Sequence, residues 1–420
     1  MATYYIDFQN GSDANDGLSP DSPLRTQHPE LLRPGDTVLF HRGGFFRGKL
    51  ENPSGAPGKP IVYGAYGEGE PPVFCGSQDL SDPALWKQTG EKIWQFTGFL
   101  QGEVGNLIFS DGTCGTLRWT EAELKEQGDW FDSCFGYTNR EVPLPADHRL
   151  LVCSRCNPGW LYRSIECATA QNTYLAHCGH DMVINGLTFQ NNGHHGIAGE
   201  EGGKNIQITD CRFLRIGGLV WSAERRIRFG NAVEFWNRAD HVLVEHCLFE
   251  DIYDSAVTHQ GGKDCEPAVD LVIRNNVFRK CGMAAYEQRD RLPISGAFSG
   301  NLCEDAGEGF SKLGVRMPRS SEIWPRPMGH HVFLWRIATV TGAEKFAICD
   351  NVFRDAPYGA AIYSMDESAV DQAIRLSGNK YQMNRKCLLN RMFDVDFPDL
   401  KAWEERNQRQ RLEDGNYETT

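Results

Sequence analysis

The stretch that decides the fold is residues 242–278, which read VLVEHCLFEDIYDSAVTHQGGKDCEPAVDLVIRNNVF. Its two ends, VLVEHCLF and LVIRNNVF, follow one pattern. Apolar residues alternate with other residues, two polar residues come next, and a phenylalanine closes the unit. Further copies, some of them weaker, begin at Met182, Ile206, Phe298, Phe346 and Arg375. A unit that recurs in this way predicts a solenoid of stacked coils.

Each copy of the unit predicts two short strands joined by a tight corner. Alternating residues on a strand point to opposite faces, so the closing phenylalanine is expected to point inward. We expect an interior column formed by Phe189, Phe213, Phe249, Phe278 and Phe353. Small polar residues tolerate the left-handed backbone of such corners. The candidates are Asn185, Asp210, Asn275, Asn276, Asp350, Asn351 and Asn379.

A third strand is indicated a few residues after each phenylalanine, where small apolar segments recur. They read HHGIAG, NAVEFW, DSAVTH, MAAYEQ and YGAAIY. Three short strands per coil, each paired with the equivalent strand of the next coil, predict an all-β fold, a parallel β-helix. Wider intervals between copies predict loops near residues 219–230 and 311–345, on the side where a binding site is expected.

The repeat also divides the chain. Residues 1–78 are expected to form an N-terminal cap with the first coils, and residues 179–396 the coils that carry the active-site loops. Residues 79–178 lack the repeat and predict a β-rich aromatic insertion, with Trp86, Trp94, Trp119, Trp130 and Trp160 mainly in its core. Residues 397–420 are charged and compatible with a helix, so we expect a capping tail.

Composition and net charge limit the classes of partner that the chain is expected to bind. The chain has 420 residues, of which 40% are hydrophobic and 24% charged, as in a folded protein. A net charge of -13 argues against nucleic acids and anionic membranes, which bind clustered Lys and Arg. A neutral substrate is favoured, although Arg225, Arg226 and Arg228 form one basic stretch. The oligomeric state stays open.

Cysteine usage and the first residues bear on the compartment. The sequence contains no apolar run of spanning length and opens without a signal-like segment, so we expect a cytoplasmic protein, although a removed signal peptide would look the same. Several of the 14 cysteines fall in strand-like runs, which fits buried thiols in a reducing compartment. Cys153 and Cys156 form a lone CxxC pair at no zinc spacing, so no metal is expected.

A family resemblance adds to this interpretation. The segments YYIDFQNGSDANDGLSPDSPLRT, PGDTVLFHRGGFFRGKL, KPIVYGAYGEGEPPV and NAVEFWNRADHVLVEHCLFEDIYDSAVTHQ resemble right-handed β-helix proteins of the pectate-lyase-like superfamily, in particular bacterial β-helix glycoside hydrolases. The resemblance implies a right-handed parallel β-helix that acts on carbohydrate. That superfamily holds hydrolases, lyases, epimerases and non-catalytic binding proteins, so it does not decide the chemistry.

Glycoside hydrolysis requires two carboxyl groups that face one cleft. In NAVEFW, inward Val233 and Phe235 would point Glu234 outward, next to Trp236. We predict Glu234 and Asp254 as the catalytic pair, with Asp251 as the substitute partner. Both aspartates could equally be turn residues that bind backbone amides.

Substrate contacts are expected from polar and aromatic residues on the same face. The predicted binding residues are Trp236, His259, Gln260, Tyr286, Gln288, Tyr363 and Asp366, with Glu287 beside them. His259 could instead be a core histidine, and the pairs His194-His195 and His330-His331 are expected at the surface. The alternatives to a hydrolase are a polysaccharide lyase, which would use Lys263, Arg289 or Arg291 and possibly calcium, and a non-catalytic glycan-binding solenoid. A hydrolase needs no cofactor.

Overall fold

The structure, a computed structural model, describes residues 1–136, 144–200, 202–262, 265–310, 328–338, 344–357, 359–364, 373–384, 388–392, 401–402, 405 and 416–419. In these ranges three long sheets of parallel strands run along the molecule, one strand per coil in each. The chain is thus a right-handed parallel β-helix, as the repeat and the resemblance predicted. No helix within the described residues is long and apolar enough to cross a membrane.

The three sheets are built from strands of three to nine residues. Sheet 1 contains Thr3–Ile6, Thr37–His41, Ile61–Tyr66, His180–Asn185, Gly203–Thr209, Ala239–Glu245, Val269–Arg274, Gly296–Ser299, Phe346–Cys349 and Ile374–Ser377. Sheet 2 contains Phe45–Arg47, Val73–Cys75, Thr188–Gln190, Arg212–Leu214, Leu248–Glu250, Val277–Arg279, Leu302–Glu304, Val352–Arg354, Lys380–Met383 and Asn416–Thr419. Sheet 3 contains Tyr174–His177, His195–Ala198, Val233–Trp236, Ser255–Gln260, Ala284–Arg291, His330–Ala338, Ala360–Ser364 and Leu388–Met392.

The corner between sheets 1 and 2 explains the two polar residues of the repeat. Its first position has φ between 54° and 68° in Gly186, Asp210, His246, Asn275, Gly300, Asp350 and Gly378. Except at His246, the position is occupied by glycine or a small polar residue, because these residues tolerate a left-handed backbone. The second position points inward, so that Asn276, Asn351 and Asn379 are buried ladder residues rather than left-handed corners. Asn185 ends a strand of sheet 1.

The inward position forms a ladder of hydrogen bonds along the solenoid. Asn301 donates through Nδ2 to the carbonyl oxygen of Ile273, at 3.0 Å, and its Oδ1 accepts from the backbone N–H of Asn276, at 3.0 Å. Asn276, Asn351 and Asn379 repeat these contacts. In earlier coils Cys211 and Cys247 take this place with longer thiol contacts to carbonyl oxygens. The ladder satisfies polar backbone groups that the corner would otherwise bury unpaired.

The predicted phenylalanine column lies in the core. Phe189, Phe213, Phe249 and Phe278 stack with ring centroids 4.8 to 5.4 Å apart. In the next coil Cys303 occupies the equivalent position, and the column resumes at Phe353. This confirms the inward direction of the closing residue of each repeat.

The segment without the repeat forms its own sheets beside the first coils. One contains Trp86–Gly90, Ile93–Phe96, Thr116–Leu117, Asp129–Asp132 and Leu150–Cys153, and the other Ser77–Asp79, Val104–Phe109 and Ile165–Thr169. Four single-turn helices are also present: Pro29–Leu31, Pro83–Leu85, Glu121–Glu123 and Pro158–Leu161. Trp86 and Trp130 are buried in the core of the insertion, whereas Trp160 is 75% exposed.

A hairpin of the solenoid packs against the insertion. Its strands, Leu219–Ser222 and Ile227–Phe229, fall in the predicted loop 219–230. Arg228, in the second strand of this hairpin, donates to the carbonyl oxygens of Gly218 and Gly105, at 2.6 and 2.7 Å. Its guanidinium also covers the ring of Tyr253, at 4.4 Å from the centroid. Arg228 therefore braces two segments and is not part of a surface basic patch.

Candidate active site

Sheet 3 carries polar and aromatic side chains on its outward face. Inward residues such as Val233, Phe235 and Val257 belong to the core of the solenoid. Between them, parallel pairing places Glu234 beside Thr258, and Thr258 beside Glu287. The same register continues to Phe333 and Tyr363. We call Glu234, Thr258, Glu287, Phe333 and Tyr363 the acid row.

Glu234 is a buried carboxyl group with two amide donors. It is 8% exposed, and its Oε2 accepts from Asn231 Nδ2 at 2.5 Å and from Gln260 Nε2 at 3.2 Å. Burial raises the pKa of Glu234, and the two hydrogen bonds and the charge of Arg289 oppose that rise. This environment favours a proton on the carboxyl group.

His195 lies against Glu234 without forming an ion pair. Its Nδ1 is 3.4 Å from Oε2 of Glu234 and accepts the backbone N–H of Asn231 at 3.1 Å. That bond assigns the ring proton to Nε2. Burial lowers the pKa of His195 to about 4, so the ring is neutral near neutral pH. The neighbouring His194 packs edge-on against Phe229, at 4.7 Å between centroids.

Glu287 is held by different donors. Its Oε2 accepts from the hydroxyl of Ser255 at 2.9 Å, and its Oε1 accepts from the indole N–H of Trp335 at 2.5 Å. The side chain is 1% exposed. Each carboxyl oxygen of Glu287 thus accepts one hydrogen bond, one from a hydroxyl group and one from an indole. The two glutamates of the row therefore have different surroundings.

Thr258 separates the two carboxyl groups. Its side chain is fully buried, and among the described residues its hydroxyl has no hydrogen-bond partner. Buried polar groups without a partner are rare and call for an explanation, such as a ligand or a water that completes them. With strands about 4.8 Å apart, the backbones of Glu234 and Glu287 lie about 9.6 Å from one another.

A second outward row runs beside the acid row. It pairs Trp236 with Gln260, and further along the same register it pairs Arg289 with Trp335. The guanidinium of Arg289 stands over the ring of Trp335, at 4.9 Å from the centroid. We call Trp236, Gln260, Arg289 and Trp335 the aromatic row. Its indole rings and amide are groups that bind sugar rings and hydroxyls.

Three predicted binding residues point into the solenoid instead. Tyr286 stacks in the core on Phe298, at 5.5 Å between centroids, and is fully buried. Its hydroxyl donates to Gln288 Oε1 at 2.5 Å, and Gln288 Nε2 contacts His259 Nδ1 at 2.9 Å. The structure therefore places Tyr286, Gln288 and His259, which were predicted as substrate contacts, in a closed polar cluster of the interior and not on the outward face.

The predicted aspartates do not lie beside Glu234. Asp254 is buried at the turn that enters its strand, four residues before Thr258. Asp251 occupies a left-handed corner, with φ 56°, and contacts the backbone of Phe310. The strand partner of Glu234 is Thr258. The structure thus does not bring either aspartate into the acid row.

The remaining predicted residues divide into three groups. Trp236 and Gln260 lie on the outward face, in the aromatic row, and Tyr363 lies in the acid row, where it stacks on Phe333. Asp366 and Lys263 lie outside the described residues. The paired histidines predicted at the surface, His194, His195, His330 and His331, are buried.

Glu287 is the residue that the sequence prediction named without assigning a catalytic role. Aligning SAVTHQ with AAYEQR by their small residues places Tyr286 in phase with inward Val257 and Glu287 in phase with outward Thr258. The signal was present in the repeat itself. A single coil does not reveal this signal, because the direction of each side chain depends on the register with the neighbouring coil.

Comparison with known proteins supports the fold. The sequence matches no protein-family model and no curated protein. The structure is similar to that of XylC in complex with xylose, with 12% identity, a TM-score of 0.51, and coverage of 93% of this chain and 64% of that one. The GH136 lacto-N-biosidase from Eubacterium ramulus gives 12% identity, a TM-score of 0.45, and coverage of 100% and 67%. The pectate lyase Pel9A gives 10%, 0.45, and coverage of 100% and 78%.

Proposed function

We propose that the protein is a glycoside hydrolase, with Glu234 as general acid and Glu287 as general base. The observation that carries this proposal is the acid row, in which two buried glutamates flank a threonine hydroxyl that has no hydrogen-bond partner among the described residues. Glycosidases use two carboxyl groups in different environments, one protonated and one ionised. Burial that raises the pKa of Glu234 suits the acid, and donors to both oxygens of Glu287 suit the base.

The spacing favours inversion of configuration. Carboxyl groups of inverting glycosidases stand about 6.5–9.5 Å apart, against about 5–5.5 Å in retaining ones. Backbones two strands apart, at about 9.6 Å, allow the wider separation with extended side chains. In this reaction Glu234 donates its proton to the glycosidic oxygen as that oxygen leaves the anomeric carbon. Glu287 takes a proton from the water whose oxygen bonds to that carbon.

A carbohydrate substrate is supported by the aromatic row. Trp236 offers an indole ring beside Glu234, and Gln260 and Arg289 offer hydrogen-bond donors. XylC, whose structure holds xylose, shares the fold. We also propose a cytoplasmic location for the enzyme.

Arg289 keeps a second candidate function open. A polysaccharide lyase neutralises a uronate carboxylate while a base removes the neighbouring proton. Arg289 lies near Glu234, and its positive charge opposes the rise in the pKa of that residue. Its Nε lies 3.5 Å from Oδ2 of Asp290. The hydrolase is preferred because the acid row supplies both the acid and the base, whereas a lyase needs only the base.

The experiment is a digestion of a glycan panel by wild type, Glu234→Gln and Glu287→Gln. Each variant should lower kcat by about 10² to 10⁴, the usual worth of a general acid or base. Glu245→Gln is the matched control, since Glu245 lies on sheet 1 and pairs with Arg274 at 2.6 Å. Asp254→Asn should keep most of the activity. Wild-type rates for both acid-row variants would refute the assignment.

A further inference from the structure

Three metal-ligand side chains of different types converge in the insertion, away from the acid row. They are Asp132, Cys134 and His148, whose ligand atoms all lie within 4.8 Å of one another. Within the described residues this is the one group of three or more candidate ligands. Asp132 is the last residue of the strand Asp129–Asp132, and Cys134 follows two residues later.

The backbone explains why these side chains meet. Asp132 pairs with Leu150 in an antiparallel register, which brings Cys134 level with His148 on the facing strand. The hydrogen bond from the backbone N–H of Ser133 to the carbonyl oxygen of Arg149 extends that pairing, at 3.0 Å. Residues two apart on a strand share one face, so Asp132 and Cys134 point to the same side. Cross-strand neighbours lie within about 5.5 Å of one another.

Burial removes the three ligand side chains from water. Asp132 is fully buried and Cys134 is 2% exposed, and the side chain of His148 is 7% exposed. In the described part of the chain, the ion-pair contact of Asp132 is with His148, from Nε2 to Oδ1 at 2.7 Å, and not with Lys or Arg. Buried charges are paired or coordinate a metal. A divalent cation would compensate the carboxylate more fully than a histidine does.

We propose that Asp132, Cys134 and His148 bind a zinc ion. Carboxylate oxygen, thiolate sulfur and imidazole nitrogen are the ligands that Zn²⁺ takes in proteins, at about 2.0–2.3 Å. Two such ligands on a tetrahedral ion stand about 3.5 Å apart, so small side-chain shifts close the set. Binding displaces the thiol proton of Cys134, and His148 carries its ring proton on Nδ1. The fourth position is left for water or another ligand.

The surroundings orient the carboxylate for this role. Oδ2 of Asp132 accepts the backbone N–H of Val104 at 2.8 Å, and Oδ1 accepts that of Cys134 at 2.8 Å. Metal-binding carboxylates are commonly held by such outer hydrogen bonds, and each oxygen keeps a second lone pair. The bond to Val104 joins the two sheets of the insertion. Zinc would therefore fasten the end of the Asp129–Asp132 and Leu150–Cys153 hairpin against the strand Val104–Phe109.

The test uses the full-length protein and does not depend on enzymatic activity. Zinc is measured by mass spectrometry of the metal after gel filtration, for wild type, Cys134→Ser, His148→Gln and Cys156→Ser. Cys156 lies in the same insertion outside the cluster and is the matched control. We expect stoichiometric zinc in wild type and Cys156→Ser, and at least a tenfold lower content in the other two. Cobalt substitution should give thiolate-to-metal absorption that Cys134→Ser abolishes.

Two outcomes would overturn the proposal. The first is wild-type protein that, after incubation with Zn²⁺ or Co²⁺ alone, holds no metal above background and shows no thiolate band, which leaves a hydrogen-bonded Asp132 and His148. The second is equal zinc content in all four proteins. Melting curves in metal-free buffer show whether the variants fold, and added Zn²⁺ should raise Tm in wild type but not in Cys134→Ser.

Discussion

Folding buries the carboxyl group of Glu234. The contribution of this group to the free energy of unfolding should therefore depend on pH. The unfolded carboxyl titrates near about 4.3, and burial raises the pKa of the folded one. The folded state therefore holds the proton more tightly, so this contribution to the free energy of unfolding is complete below about pH 4.3. It is lost as the pH rises through the folded pKa.

The side chain of Glu234→Gln cannot ionise, so this variant does not lose stability in that way as the pH rises. Its Tm should rise relative to wild type as the pH goes from about 4 to about 7, because wild type then ionises a buried group. Calorimetry of both proteins across this range measures the difference. A difference in Tm that stays constant with pH would contradict a raised pKa at Glu234.

Thr258 tests the role of the unpartnered hydroxyl. Thr258→Val keeps the shape and removes the hydroxyl, so it should leave stability unchanged or slightly higher, since in the described part of the chain this hydroxyl forms no hydrogen bond. If the hydroxyl positions the attacking water, kcat falls by about tenfold, which corresponds to one hydrogen bond, while KM changes little. Thr258→Ser should restore the rate. A Val variant with wild-type kcat would assign Thr258 to packing alone.

The directions of the side chains on sheet 3 can be predicted from the sequence only in part. The alternation with inward Val233 and Phe235 correctly predicts that Glu234 points outward. The sequence alone also suggests an outward Tyr286, whereas in the structure Tyr286 pairs with inward Val257. A one-residue error in phase turns a side chain to the opposite face, so the direction of a residue depends on register that a single coil does not reveal.

The asparagine ladder at the corner between sheets 1 and 2 should contribute measurably to the free energy of unfolding. Asn301→Ala removes the partners of Asn276 N–H and of the Ile273 carbonyl inside the core. Each buried group left unpaired costs about 1–3 kcal/mol, so we expect a loss of at least about 2 kcal/mol in the free energy of unfolding. Urea denaturation measures it, with exposed Asn10→Ala as control. Equal stability of the two variants would contradict the ladder.

The strand order of the insertion could not be predicted from the sequence. Repeats identify the solenoid because each coil must pair with the next, but residues 79–178 contain no second copy to align. Its composition predicted β structure with buried tryptophans, and Trp86 and Trp130 are buried. Strand order and the approach of Asp132, Cys134 and His148 depend on antiparallel pairings between residues far apart in the chain, which composition does not specify.

Thiol chemistry can be tested on the whole molecule. The structure describes Cys75, Cys114, Cys134, Cys153, Cys156, Cys167, Cys178, Cys211, Cys247, Cys265, Cys281, Cys303 and Cys349, all as free thiols. Titration of denatured protein with chelator and without reductant should therefore detect close to all 14 cysteines. Several disulfides would argue against the proposed reducing compartment.

The stereochemical outcome also belongs to the whole molecule, since it depends on two strands of different coils. Acids two coils apart predict products of inverted anomeric configuration. Proton NMR of the first product formed from a defined glycoside shows the anomer directly. A retained configuration would refute the assignment of Glu287 as base while leaving hydrolysis intact.

The central claim is that the acid row hydrolyses a glycosidic bond, and digestion in heavy-oxygen water tests it most directly. Hydrolysis adds one water across the bond, so the mass of the new reducing end should rise by one heavy oxygen. Glu234→Gln and Glu287→Gln should form this product far more slowly. Unsaturated products without heavy oxygen, as β-elimination gives, would contradict the account and assign the site to a lyase.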